Sequence, residues 1–257
     1  MILSPEYYAI DTRQNDNHFS QLGQDVLIEA FLIQKNLNFN FCDIGAFDGV
    51  TYSNSYLFEI KYNWHGICVE PNPEIFVELK TNRKSINENL AICNSNGYQE
   101  YLKVVGYSNM LSGLSNNYSK SHMKRLQREV REHNQTVNKI LIKCSKLQDL
   151  IDKHSLNNFG FISIDTEGSE LEVLESLDLT KTHVTLFIVE NSLGDRKVEK
   201  YLELYGFHKA LNIEYEEFYV KYDDVNTIQE IANTLFKKKS VIRIVVRKLY
   251  QSLTARD

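Results

Sequence analysis

The sequence predicts an α/β fold: a mostly parallel sheet with helices on both faces and an antiparallel C-terminal hairpin. Three observations predict it. Short apolar runs closed by turn residues alternate with helix-like stretches along most of the chain. The run Val184–Val189 is apolar nearly throughout, as in a strand buried on both faces. Two β-rich runs, FHKALNI and EEFYVKY, follow each other closely enough to form a hairpin. With 257 residues, 42% hydrophobic and 25% charged, one α/β domain is the simplest partition and simple disorder is excluded.

In chain order, Ser20 is placed to N-cap a helix that turns Val26, Leu27 and Phe31 inward. Phe39 to Ile44 reads as the first strand, followed by the turn GAFDG and a helix from about Ser53 to Tyr62. Gly66 to Val69 is the second strand and ends in EPNP. There Asn72 can N-cap, Pro73 suits the first helical position, and Phe76 and Leu79 share a face. Asn89 to Cys93 reads as a third strand and Phe159 to Ile164 as a fourth. Ser169 and Glu172 then have capping-box spacing ahead of Leu171, Leu174 and Leu177. After the fifth strand, Val184 to Val189, a helix from about Asp195 presents Val198, Leu202 and Tyr205 inward, with Gly206 as C-cap.

Residues 107–138 break this rhythm. They are long and polar, and they read as a lid or substrate-binding insertion or as a solvated surface helix. Residues 1–236 form the expected domain, and residues 237–257 read as a basic amphipathic helix with Ile242, Val245, Val246 and Leu249 on one side.

Net charge is −5, unevenly spread. From Lys237 onward there are seven basic residues and one acid, which leaves 22 basic and 33 acidic side chains, a balance of −11, in the first 236 residues. An acidic body disfavours nucleic acid as a partner. The basic tail suits an acidic membrane surface, self-association or docking onto the body. No apolar run approaches the roughly 18 residues of a membrane-spanning helix. The first residues lack the basic-then-apolar order of a signal peptide, so a cytoplasmic location is expected. Cys42, Cys68, Cys93 and Cys144 form no C-x-x-C pair, and reduced core thiols are expected.

The first strand ends in DIGAFDG, which places Asp43, Gly45, Asp48 and Gly49 at a ligand-binding edge. The spacing is not that of a pyrophosphate-binding G-x-G-x-x-G, and its two carboxylates repel phosphate but suit a cation. Glu70 ends the second strand, where an acid can accept both hydroxyl protons of a ribose. Together they describe a pocket for a nucleoside that carries a positive group and no phosphate. S-adenosylmethionine matches, and a nicotinamide cofactor is the alternative.

The chain resembles the FkbM-type methyltransferases, a branch of the class I S-adenosylmethionine-dependent fold. The likeness lies in SQLGQD, DIGAFDG, VEPNP and IDTEGSELEVLESL, which together span about Ser20 to Tyr222. It implies a seven-stranded Rossmann-like sheet with a reversed last strand. It also implies O-methylation, commonly of sugar hydroxyls in surface polysaccharides such as capsule or lipopolysaccharide, with a sugar or nucleotide-activated sugar as substrate. The alternatives are an N- or carboxyl-methyltransferase on another small metabolite, or a non-catalytic module that binds the cofactor. Carried over, Asp43, Gly45, Ala46 and Gly49 would surround the methionine end of the cofactor. Glu70, Pro71 and Asn72 would hold the ribose, and Leu90 and Ala91 would lie beside the adenine. Gln21, Gln24 and Asp25 would close over it.

In such a sheet Asp165, at the end of the fourth strand, faces both the cofactor and the transferable methyl. Glu167 follows it, and Glu190 with Asn191 ends the neighbouring strand. A sugar hydroxyl attacks poorly until its proton leaves. The three carboxylates therefore supply either a base or ligands for Mg²⁺. The expected catalytic residues are Asp165, Glu167 and Glu190. Ser112, His122 and Asn191 are the expected acceptor contacts.

Overall fold

The computed structural model describes residues 18–35, 39–236 and 242–243. In chain order the first half of the chain forms α1 (Gln24–Gln34), β1 (Asn40–Ile44), α2 (Tyr56–Tyr62), β2 (Gly66–Val69), α3 (Pro73–Asn82), β3 (Ile86–Glu88), β4 (Ala91–Ile92) and β5 (Gly97–Val105). Next come β6 (Gly113–Leu114), α4 (Lys120–Glu132), β7 (Thr136–Ser145), α5 (Leu147–His154), β8 (Asn158–Ile164) and α6 (Glu170–Glu175). The last are β9 (His183–Glu190), α7 (Lys197–Glu203), β10 (Phe207–Ile213), β11 (Glu216–Lys221), α8 (Val225–Leu235) and β12 (Ile242–Arg243).

The main sheet has the order β12-β10-β11-β9-β8-β1-β2-β3. Its five strands from β3 to β9 run parallel, and β11 enters antiparallel between β9 and β10. This is the expected mostly parallel sheet with a reversed strand, extended by the two-residue β12. Because side chains alternate across a strand, β1 sends Phe41 to one face and Cys42 and Ile44 to the other. The first face packs on α1, α2 and α8 through Leu27, Phe31, Phe58 and Ile228. The second packs on α5, α6 and α7 through Leu150, Leu174 and Leu202. Each such buried Leu or Phe contributes about 1.5–3 kcal/mol relative to exposure. The four cysteines are buried and free, as expected. No helix among the described residues is long and apolar enough to cross a membrane.

Four expectations need correction. First, α1 starts at Gln24, after Gly23 in the left-handed region (φ 86°), and not just after Ser20. Second, the run Asn89–Cys93 does not extend the main sheet. That edge is taken by Ile86–Glu88, while Ala91–Ile92 crosses to a second sheet of order β4-β7-β5-β6. Third, α7 ends at Glu203, with Leu204 as its cap and the left-handed Gly206 two residues further on. Fourth, Ile242 and Arg243 pair as a strand with Ile213 and Asn212 where a helix was expected. The rest of 237–257 lies outside the described residues.

The insertion is built onto the second sheet. From it come β6, α4 and the start of β7, and Leu126 of α4 packs on Leu102, Val104 and Leu111. Its helix is therefore more than a solvated surface element.

Candidate active site

A cavity of about 730 Å³ opens between the carboxyl ends of β1, β2 and β8 and a wall made by the second sheet. The strand ends contribute Gly45, Phe47, Glu70, Pro71, Asn72, Asp165 and Glu167; the wall contributes Leu90, Ala91, Tyr101, Met110, Ser112 and Leu114. One side is thus acidic and the other largely apolar, the division an adenosyl cation needs.

Glu70 ends β2 as a buried carboxylate whose two oxygens each accept one backbone N–H, from Phe47 at 3.1 Å and from Asn72 at 2.7 Å. Phe47 reaches it from the left-handed region (φ 51°). Each oxygen keeps a further lone pair for a hydroxyl. Burial, partly opposed by these two bonds, pushes the Glu70 carboxyl up to about 7. Asn72 also accepts from Glu74 N–H at 3.1 Å and so caps α3, with Pro73 behind it as expected.

The β1 turn is scaffold more than ligand surface. Asp43, Ala46 and Gly49 do not line the cavity. Asp43 accepts from Ser55 Oγ and, at 3.4 Å, from Ser53 Oγ. Arg83 bonds the same Ser55 at 3.0 Å and holds the Gly49 carbonyl at 2.9 Å, with Glu59 at 3.0 Å completing the ion pair. Asp48 accepts from Val50 and Thr51 N–H at 2.9 and 2.7 Å, which closes the loop. The carboxylates expected to face a cation at DIGAFDG are spent on folding it. Gly45 does line the cavity, and its reason is close approach: at φ 87°, an added Cβ would sit 1.7 Å from the Asp165 carbonyl oxygen. Gly45→Ala is therefore expected to destabilise the chain by about 2–3 kcal/mol, read as a lowered thermal midpoint, and an unchanged midpoint would refute the packing account.

Across from Glu70, one carboxylate oxygen each from Asp165, Glu167 and Glu190 lies within 4.8 Å of the others. Asp165 is anchored by its N–H on the Ile44 carbonyl at 2.9 Å and opens into the cavity. Glu190 stands beside it and opposite Glu216 in the β9–β11 register. No Lys or Arg of the described residues comes within ion-pair distance of Asp165, Glu167 or Glu190. Asp165 is open to the cavity, yet desolvation by the protein packed around it, then the neighbouring Glu170 charge, raises its carboxyl to about 6, against a hydrogen bond with Glu190. Burial, then Asp165, raises Glu167 to about 8, and Glu190 is held well above the carboxylate range by burial and the same neighbours. Glu167 sits at φ 56°, a strained backbone for a glutamate. Glu170 is not part of this group's opening: it accepts from Gly168 N–H at 2.8 Å and Thr166 N–H at 3.2 Å, tying the turn before α6.

Other expected contacts lie elsewhere. Asp25 accepts from Phe19 N–H at 2.6 Å and bonds Ser20, and Gln24 accepts from Leu22 N–H at 2.8 Å. The SQLGQD stretch thus braces its own turn, and neither these residues nor Gln21 line the cavity. Asn191 ties its loop to the Asp195 carbonyl at 2.7 Å and His122 lies behind Glu167, so of the three expected acceptor contacts Ser112 alone borders the cavity. Tyr101 and Met110 line it and were not foreseen. Tyr101 rides on β5, where Tyr101, Leu102 and Val104 are buried between polar neighbours. The usable signal was the alternation of Ile140, Ile142 and Cys144 in the partner strand β7.

Among known proteins, no curated sequence matches. The chain is similar in structure to a methyltransferase FkbM from Methylobacillus flagellatus KT (TM-score 0.44, 13% identity, covering 84% of this chain and 50% of that one). It is also similar to a precorrin-6y C5,15-methyltransferase from Geobacter metallireducens GS-15 (0.43, 10%, 80% and 91%). A third similar structure is an O-methyltransferase from Bacillus cereus in complex with SAH (0.40, 13%, 84% and 89%). The chain spans about half the length of the first of these. A family model described as methyltransferase FkbM domain matches residues 43–234, which take in the β1 turn, Glu70, the second sheet and the three clustered carboxylates. This chain belongs to the methyltransferase FkbM domain family.

Proposed function

We propose that the chain is an O-methyltransferase acting on a hydroxyl of a sugar or nucleotide-activated sugar in the biosynthesis of surface polysaccharide. The observation that carries the transfer is the pairing of Glu70 and Asp165 across one cavity. Glu70 accepts the ribose hydroxyls of S-adenosylmethionine through its two remaining lone pairs, with the adenine toward Leu90 and Ala91. The sulfonium then lies toward Asp165. An acceptor oxygen attacks the methyl carbon in line as the C–S bond breaks. The bonding pair goes to sulfur, leaving S-adenosylhomocysteine, and Asp165 takes the hydroxyl proton.

Asp165 suits that work because Glu190 stays protonated and shares its proton with it, so the crowding of like charges is relieved by a proton. Mg²⁺, the other option open from the sequence, is not part of this reading. The sugar class rests on family membership, and a vicinal array of hydroxyls is compatible with the acidic rim.

Calorimetry with S-adenosylmethionine and S-adenosylhomocysteine is expected to show binding of both, and silence toward both would end the reading. Mass spectrometry of a nucleotide-sugar panel incubated with enzyme and cofactor is expected to show a gain of about 14 Da, one methyl replacing a hydrogen, that survives a chelator. Loss of methylation in chelator would restore the metal.

A further inference from the structure

The second sheet and α4 form a basic layer on an acidic protein. Residues 91–146 carry nine Lys or Arg and three Glu, a balance of +6; the rest of residues 1–236 carry 13 basic and 30 acidic side chains, a balance of −17. Strand register decides where these cations stand. Side chains alternate across β5, so Tyr98 and Glu100 share a face with Leu102 and Val104, which pack on Leu126 of α4. Across the ladder Lys143 stands opposite Tyr98, Leu141 opposite Glu100 and Lys139 opposite Leu102. Tyr101 belongs to the other face and lines the cavity. The helix covers the Leu102–Val104 end of the outer face and leaves the other end open: Tyr98 is 72% and Leu141 73% exposed, with Lys139 and Lys143 exposed beside them. While Met123, Leu126 and Val130 of α4 pack toward the sheet, Lys120, Lys124, Arg125, Arg128 and Arg131 are exposed. At the C-terminal end of α4, Tyr107 is 82% exposed and lies against the His133 ring, with centroids 4.9 Å apart. Of these seven cations, those in ion pairs among the described residues are Arg128, with Glu129 at 3.2 Å, and Lys139, with Glu100 at 2.9 Å.

We propose that this outer face docks on an anionic lipid surface: the cations of α4 and β7 meet the headgroup phosphates, while Leu141, Tyr98 and Tyr107 enter the interfacial region around them. A cationic row draws any polyanion, and the apolar side chains select among them. An aliphatic side chain left this exposed gains by leaving water for the acyl boundary and gains nothing on a phosphate backbone, and tyrosine rings rest at headgroup level. Charge also makes the docking one-sided, because the acidic remainder of the protein is repelled by the same surface. The cavity mouth lies beside this face, since Met110, three residues after Tyr107, both lines the cavity and is 40% exposed. The surface is distinct from the basic residues 237–257, and it stands whether or not the reaction read at the cavity is correct.

Co-sedimentation of the full chain with vesicles tests it. Phosphatidylcholine vesicles containing about one-third phosphatidylglycerol are expected to bind the protein, pure phosphatidylcholine is not, and binding is expected to weaken at least tenfold (order of magnitude) when salt is raised from about 0.05 to about 0.5 M. Lys124→Glu combined with Lys143→Glu reverses two exposed charges that lie outside the ion pairs and is expected to weaken binding about 100-fold. Tyr98→Ser combined with Leu141→Ser is expected to weaken it about tenfold. Replacing Lys237, Lys238 and Lys239 with Gln is expected to change it by less than about threefold. Circular dichroism shows which variants are folded; should the charge-reversed pair fail to fold, Lys124→Gln with Lys143→Gln is read in its place, with a loss of about tenfold expected. No binding to the anionic vesicles overturns the proposal, as does equal binding to both vesicle types. Binding that survives in the folded α4–β7 variants and is lost in the Lys237–Lys239 variant overturns it equally. Cofactor calorimetry on the unaltered chain tests the methyltransferase reading separately.

Discussion

Asp165→Asn is expected to lower methyl transfer by about 10³-fold while leaving the affinity for S-adenosylhomocysteine within about threefold. The asparagine keeps the size of the side chain, and its backbone N–H stays on the Ile44 carbonyl, so the β1–β8 junction that shapes the cavity is retained. Under the proposed mechanism the variant loses the proton acceptor, and with it the partner for the Glu190 proton. The unaltered enzyme is expected to lose rate as pH falls through about 6, because protonation removes the base, and the variant's residual rate is expected to lack that limb. Single-turnover formation of S-adenosylhomocysteine, with the acceptor found in the nucleotide-sugar panel, reads both quantities. Full activity in the variant would remove Asp165 from the chemistry. Equal loss of cofactor affinity would reassign it to binding.

Glu70→Ala is expected to weaken binding of S-adenosylhomocysteine about 100-fold at pH 8, or about 2.7 kcal/mol. That is less than the gross worth of two charge-assisted hydrogen bonds at roughly 1.5–3 kcal/mol each, because water can enter the vacated space. The pH dependence carries the sharper sign. With Glu70 pushed up to about 7, ionised carboxylate predominates above that value and the acid below it. Only the ionised group accepts from both hydroxyls while also accepting from Phe47 and Asn72 N–H. Affinity is therefore expected to fall about tenfold per pH unit below pH 7, and to be flat over the same range in Glu70→Gln. Calorimetry from pH 5.5 to 8.5 measures it, and parallel profiles for the two proteins would take Glu70 away from the ribose.

Most of the parallel sheet was legible along the chain because its strands are buried on both faces and read as apolar runs, Phe159–Ile164 and Val184–Val189 above all. The cap at Asn72–Pro73 was legible too, since it is made by residues adjacent in sequence. The second sheet was not. Its long strands β5 and β7 bury one face only and carry Lys139, Leu141 and Lys143 outward, so polar residues and an exposed leucine blur the alternation. With that sheet went Tyr101 of β5 and Met110 of the turn before β6, both of which line the cavity.

Residue type and spacing alone determined which strand ends carry acids, and therefore that Glu70, Asp165 and Glu167 meet at one edge of a parallel sheet: in such a sheet every carboxyl end points the same way. Which acids face the cavity was decided only in three dimensions. Asp43 and Asp48 stand in the same loop as Gly45, yet Arg83, about 40 residues away in sequence, and the serines of the following turn draw Asp43 inward, while the loop's own amides claim Asp48. Whether a carboxylate serves folding or a ligand depends on which donors the packed chain brings within hydrogen-bond reach, and those donors come from segments whose proximity no local pattern encodes.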